Sequence, residues 1–118
     1  MRTFTSHDAA LTNEYGIQVG RWSQYENLSG LPFDAMWCVI EPGGSTTEHG
    51  HPEVEYMVVL SGSGRLTTPN AVTEVEPGTV LLLDSDETHV IDNLSDSERL
   101  VLLSTYWLPG ASQEGPSA

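Results

Sequence analysis

Apolar residues fall along the chain in short clusters that alternate with polar positions or run briefly between Gly, Pro, Asn, Asp and Ser. No stretch sustains the three-to-four spacing of an amphipathic helix for three turns, so the pattern predicts an all-β chain. Its eight expected strands are Gly16–Trp22, Ala35–Ile40, Glu53–Leu60, Arg65–Thr68, Ala71–Val75, Thr79–Leu83, His89–Asn93 and Leu100–Trp107. Turn signals separate them at Glu41-Pro42-Gly43-Gly44, Ser61-Gly62-Ser63-Gly64, Thr68-Pro69-Asn70 and Glu76-Pro77-Gly78. Strands this short and evenly spaced predict a sandwich or small barrel. Gly62 and Gly64 are expected to admit positive φ in a hairpin, and Ser6–Glu14 to form one helical turn at most. The expected organisation is an N-terminal arm over residues 1–15, a barrel over 16–108 and a mobile tail over 109–118, which has no apolar anchor.

A length of 118 residues fits one domain with a core that needs no disulfide or metal staple. Four Lys+Arg face 17 Asp+Glu, for a formal net charge of −13. A chain this acidic is repelled by phosphate backbones, which argues against nucleic acid and anionic membrane partners. The cations are Arg2, Arg21, Arg65 and Arg99; with no lysine present, Schiff-base chemistry and a P-loop lysine are excluded. Cys38 is the sole cysteine, so an intramolecular disulfide and a site of several thiolates are excluded, in keeping with a reducing compartment. Apolar runs such as Val80-Leu81-Leu82-Leu83 are too short to span a bilayer, and the first residues lack the apolar stretch of a leader. A cytoplasmic protein is expected.

Three of the histidines carry candidate chemistry, whereas His7 sits in the arm and is set aside. His49 and His51 are one residue apart, and in an extended segment such side chains share a face, with Cα atoms roughly 6.6–6.8 Å apart. Glu55 lies an even number of residues further on and points the same way if the segment stays extended past Pro52. His89 opens another apolar strand and could close the set. Three imidazole nitrogens and a carboxylate oxygen suit a borderline divalent metal such as Zn, Fe, Mn, Co or Ni better than Ca or Mg. The shared face continues through Met57 and Val59, expected to line an apolar pocket. Val54, Tyr56, Val58 and Leu60 on the opposite face are equally apolar, so both faces are expected to be buried.

The spacing Gly43, His49-x-His51, Glu55, Gly62 resembles the first motif of the cupin superfamily without a gap. Gly78, Asp84-x-Asp86, His89 and Asn93 resemble the second, with Asp84 and Asp86 standing where cupins usually carry Pro and Gly. Asp can bond its own backbone locally, so the turn is expected to survive. The resemblance spans Gly43 to Asn93. It implies a single-domain double-stranded β-helix of two antiparallel sheets, with one divalent transition metal held inside by His49, His51, Glu55 and His89, zinc ahead of iron, manganese and nickel.

Cupins host many activities, so fold alone does not fix function. The complete ligand set favours a metalloenzyme acting on a small polar metabolite by Lewis-acid isomerisation, cyclisation or rearrangement, N–N bond formation included. The alternatives are an Fe(II)-dependent dioxygenase, a non-catalytic ligand-binding or sensor domain, and a barrel in which the metal is structural. Glu55, if it leaves the metal, and Tyr106 or Tyr56 are the acid–base candidates. Trp22, Trp37, Trp107, Tyr56 and Tyr106 either line the cavity or serve as core. Arg21 either meets a substrate carboxylate or belongs to the surface, and Cys38 is expected to be a buried small hydrophobe. Exposed sheet edges predict a homodimer.

Overall fold

The computed structural model describes residues 1–110. The expected tail, from residue 111 onward, lies outside the described residues. Among those described, nine strands form two antiparallel sheets, with β1 Thr12–Glu14, β2 Ile17–Arg21, β3 Asp34–Ile40, β4 Val54–Ser61, β5 Gly64–Thr68, β6 Ala71–Val75, β7 Val80–Leu83, β8 Val90–Asp92 and β9 Leu100–Trp107. The six-stranded sheet has the order β1-β2-β3-β9-β4-β7 and the three-stranded one β6-β5-β8. All eight expected strands are present, with ends shifted by at most one residue where they differ. The ninth, β1, corrects the expectation for Ser6–Glu14. A single hydrogen-bonded turn, Ala9 N–H to Ser6 carbonyl at 3.2 Å, is followed by a strand paired with β2. Polar Thr12-Asn13-Glu14 carries no apolar alternation to announce it.

Alternation decides what goes inside. Ile17 and Val19 of β2, Met36, Cys38 and Ile40 of β3, Met57 and Val59 of β4, and Leu100 and Leu102 of β9 pack against Leu66, Val75 and Ile91 of the smaller sheet. The tight turn before β5 needs glycine twice. Gly62 has φ +82°, and a Cβ there would lie 2.3 Å from the Arg99 carbonyl. Gly64 does not adopt positive φ; its role is close approach, because a Cβ would meet the Asp92 carbonyl at 2.3 Å.

The other face of β4 is not buried as expected. Val54, Tyr56 and Val58 are half-buried and Leu60 is 46% exposed, since the smaller sheet covers only the inner side. Over β2 and β3 the outer face is covered differently. Two 3-10 turns, Trp22–Gln24 and Glu26–Leu28, and the N-terminal arm gather Phe4, Trp22, Tyr25 and Trp37, with Phe4 and Trp22 ring centroids 4.8 Å apart. No helix among the described residues is long and apolar enough to cross a membrane.

Candidate metal centre

Two loops bring the histidines together. His49 and His51 precede β4 and His89 precedes β8, and the loops are joined by backbone hydrogen bonds. The His89 N–H donates to the His49 carbonyl at 3.1 Å and the Asp86 N–H to the His51 carbonyl at 2.6 Å. The side chains therefore converge: one ligand atom from each of His49, His51 and His89 lies within 4.8 Å of the others, so the three could hold one ion. His89 is 3% exposed and, with Ile91 and Asn93, faces inward, as its parity required. Asp86 adopts φ +63°, taking the left-handed conformation of the glycine usual at that motif position. Asp84 closes the turn by accepting from Glu87 N–H at 3.1 Å.

Each imidazole is oriented by backbone. Nδ1 of His49 meets the Thr47 carbonyl at 2.7 Å, Nδ1 of His51 the Glu53 carbonyl at 3.0 Å, and Nδ1 of His89 the Glu87 carbonyl at 3.0 Å. A carbonyl only accepts, so Nδ1 carries a proton in each ring, and in a neutral ring that leaves the Nε2 lone pair for a ligand. Burial pushes the His89 pKa below its ordinary value, against the opposing pull of the Glu87 carbonyl and Glu55, which keeps the ring ready to ligate.

Glu55, 3% exposed on the inner face of β4, reaches the same point. Its Oε1 lies 3.1 Å from His51 Nε2 and 3.8 Å from His89 Nε2, while Oε2 accepts a hydrogen bond from the buried Ser104 hydroxyl of β9. With His51 Nδ1 protonated, a lone pair on Nε2 faces a carboxylate oxygen. A proton on Nε2 or a cation between the two relieves that opposition, and the donor set of three imidazoles and a carboxylate fits a divalent metal. Soft donors do not compete. Cys38 is fully buried, and burial, then the Glu55 charge, push its thiol pKa far up, leaving it a small hydrophobe.

Above the histidines opens a cavity of about 240 Å³ lined by Tyr15, Arg21, Met36, His49, His51, Glu53, Glu55 and Tyr106. Met36 holds the apolar wall expected of Met57 and Val59, which are packed deeper in the core at 4% and 1% exposure. Arg21 faces inward. Its NH2 group donates to Glu14 Oε1 at 2.7 Å and its NH1 group to the Tyr106 hydroxyl at 2.5 Å. The Glu14 hydrogen bond holds the guanidinium charged and lowers the Glu14 pKa, while burial raises that of Tyr106 against the opposing Arg21 charge. Of the five aromatic candidates only Tyr106 lines this cavity. Tyr56 packs on Trp107 on the outer face, ring centroids 6.2 Å apart, and does not line this cavity, and Trp22 and Trp37 lie under the arm. Sequence reasoning missed Met36, Glu53 and Ser104 at the site, and also Tyr15 and Glu14. Neither of the last two belongs to a motif, and both are delivered by the unexpected strand β1 and its turn.

The family model described as "Cupin domain" matches residues 36–106. Among solved structures, a Cupin 2 conserved barrel domain protein from Salinispora arenicola aligns with TM-score 0.79 and 27% identity, covering 91% of this chain and 88% of its own. A predicted oxalate decarboxylase from Thermotoga maritima aligns with TM-score 0.74 and 20% identity, over 91% and 99%. The polyketide cyclase RemF from Streptomyces resistomycificus aligns with TM-score 0.74 and 22% identity, over 90% and 78%. The latter two likenesses are of fold. No curated protein matches the chain by sequence.

Proposed function

This chain belongs to the cupin domain family, and we propose that it is a metal-dependent enzyme acting on a small polar metabolite by Lewis-acid chemistry. The observation that carries the reading is the convergence of three imidazoles, each with Nδ1 tied to backbone, on one point beneath an open cavity. His49, His51, His89 and Glu55 would hold a divalent transition metal, zinc before iron, which supplies a Lewis acid toward a substrate oxygen or nitrogen. Tyr106 is the proton-moving group. Arg21 donates to its oxygen, which leaves the phenolic proton free for a hydrogen bond into the cavity. Ser104 holds one oxygen of Glu55 and so aims the other at the histidines. The cavity volume suits a small molecule and no polymer.

Elemental analysis of protein purified without a histidine tag tests the metal, with one equivalent per chain expected and its absence after reconstitution sinking the reading. Zinc- and iron-loaded protein are then compared on candidate substrates with and without air. Turnover by the zinc form without oxygen supports Lewis-acid chemistry. Turnover by the iron form alone, with oxygen uptake matching product, assigns a dioxygenase instead.

We also infer a homodimer. The outer face of β4 and β7 carries no charge in a strongly acidic chain, and Val80 and Leu82 are 60% and 64% exposed there. Light scattering that returns a monomer mass at micromolar concentration would reject it.

A further inference from the structure

We propose that Tyr15 is a positioning residue of the metal centre, held in an unfavourable backbone conformation so that its ring can brace His49. The inference rests on the metal-centre reading above. Tyr15 and Gly16 are the two loop residues of the β1–β2 hairpin, with Glu14 and Ile17 paired on either side. Both have positive φ, +56° and +78°. That is the signature of the mirror-image hairpin turn, whose first position is normally Asn, Asp or Gly because a bulky side chain is strained there. A tyrosine at that position makes local sense for neither the turn nor the core, since its side chain is not buried and the residue is 42% exposed.

What the conformation achieves is contact with the site. The Tyr15 ring stacks on the His49 imidazole with centroids 4.7 Å apart and planes 11° from parallel. Thr47 links the two from behind. Its N–H donates to the Tyr15 carbonyl at 2.7 Å, and its carbonyl accepts from His49 Nδ1 at 2.7 Å. Gly16 seats the turn close against this segment, for a Cβ there would lie 3.1 Å from both the Ser45 carbonyl and Thr47 Oγ1. The three histidines differ in their need for such support. His89 is wedged in the interior, whereas His49 is half-exposed and has the open cavity beside it. A flat ring on its free face limits rotation of the imidazole about its own axis, which keeps Nε2 aimed at the other two.

The test compares Tyr15→Asn and Tyr15→Gly, which relieve the backbone and remove the ring, with Tyr15→Phe, which keeps the ring. For the first two, the Tm of the metal-free protein is expected to rise by about 2–5 °C. Their zinc affinity, measured by competition with a chromophoric chelator, is expected to fall about tenfold or more. The visible spectrum of the Co(II)-substituted protein is expected to change in the same two variants, a readout that a purely structural role would not move. Tyr15→Phe, which keeps the ring and loses only the hydroxyl facing Arg21, is expected to match the parent in zinc affinity and Co(II) spectrum. Unchanged affinity and Co(II) spectrum in Tyr15→Asn overturn the proposal, and so does a lowered Tm, since the residue would then serve the fold. Failure of the parent protein to bind zinc or Co(II) defeats the metal-centre reading itself and the proposal with it.

Discussion

The two ends of the interior are built on the same strands and are almost equally dry, yet they hold opposite chemistry. At one end Ile40, Val59, Leu100 and Leu102 are at most 1% exposed, and at the other Glu55, His89 and Ser104 are at most 3% exposed. Three strands run from one regime to the other on their inner face. β9 passes from Leu100 and Leu102 to Ser104 and Tyr106, β4 from Val59 through Met57 to Glu55, and β2 from Ile17 and Val19 to Arg21. Register sets Ile40 opposite Leu100 and Tyr106 opposite Glu55, while Leu83 flanks Glu55 on its other side and Ser104 lies between Met36 and Met57. The difference teaches that burial does not distinguish site from core here. What distinguishes them is whether each buried atom asks for a partner, and at the polar end the Ser104 hydroxyl, the Glu55 carboxylate and the His89 imidazole all have one.

If the division is real, damage at one end should leave the other largely intact. The largest effect is expected from His49→Ala or His51→Ala: bound metal falls from one equivalent to none by elemental analysis, while circular dichroism still reports the β fold. Global unfolding of the metal-free protein would instead make the ion structural. Next comes Leu102→Ala at the apolar end, expected to destabilise by about 2–5 kcal/mol in urea titration, with metal stoichiometry unchanged. Ser104→Ala sits on the boundary and should affect both. Leaving the buried Glu55 oxygen without its donor is expected to lose about 1–3 kcal/mol of stability. It should also weaken zinc binding in the chelator assay, and unaltered affinity would mean that Glu55 stands off the metal.

The smallest effect is in pH. Burial lowers the His89 pKa in the folded state, so below about pH 6.5 the unfolded chain takes up a proton that the folded chain refuses. The unfolded state then binds more protons, and stability falls as pH falls. The metal-free protein is expected to hold its Tm above about pH 7 and lose it gradually below about 6.5, and His89→Gln to flatten that slope. An equal slope in both proteins would place the titration elsewhere.

Much of this was legible in the chain. Short apolar runs between turn residues revealed β3, β4 and β9, and the spacing of His49, His51 and His89 marked the candidate ligands before any geometry. The legible features are those where one local rule acts alone. Where two rules compete, the pattern misleads. The apolar outer positions of β4 read as buried because alternation cannot say whether a second layer exists on that side. Arg21 was open between site and surface because parity placed it inside while its charge argued outside; Glu14, from a strand without apolar pattern, resolves that conflict. Tyr15-Gly16 did carry a signal, an aromatic residue before glycine where a two-residue turn prefers Asn or Asp, but it becomes readable only once β1 is known to be a strand.

The three Nδ1 contacts have a consequence for how the centre tolerates change. Every accepting group is a main-chain carbonyl, of Thr47, Glu53 and Glu87. These three contacts are therefore not encoded by any side chain and cannot be deleted by exchanging one. A change of side chain at position 47, 53 or 87 leaves the accepting carbonyl in place as long as the loops keep their path, which at 87 includes the Glu87 carboxylate accepting from the Asp84 N–H at 3.0 Å. Cavity residues other than the candidate ligands and Tyr15, Met36 among them, can then be exchanged to meet a new substrate without touching these three contacts.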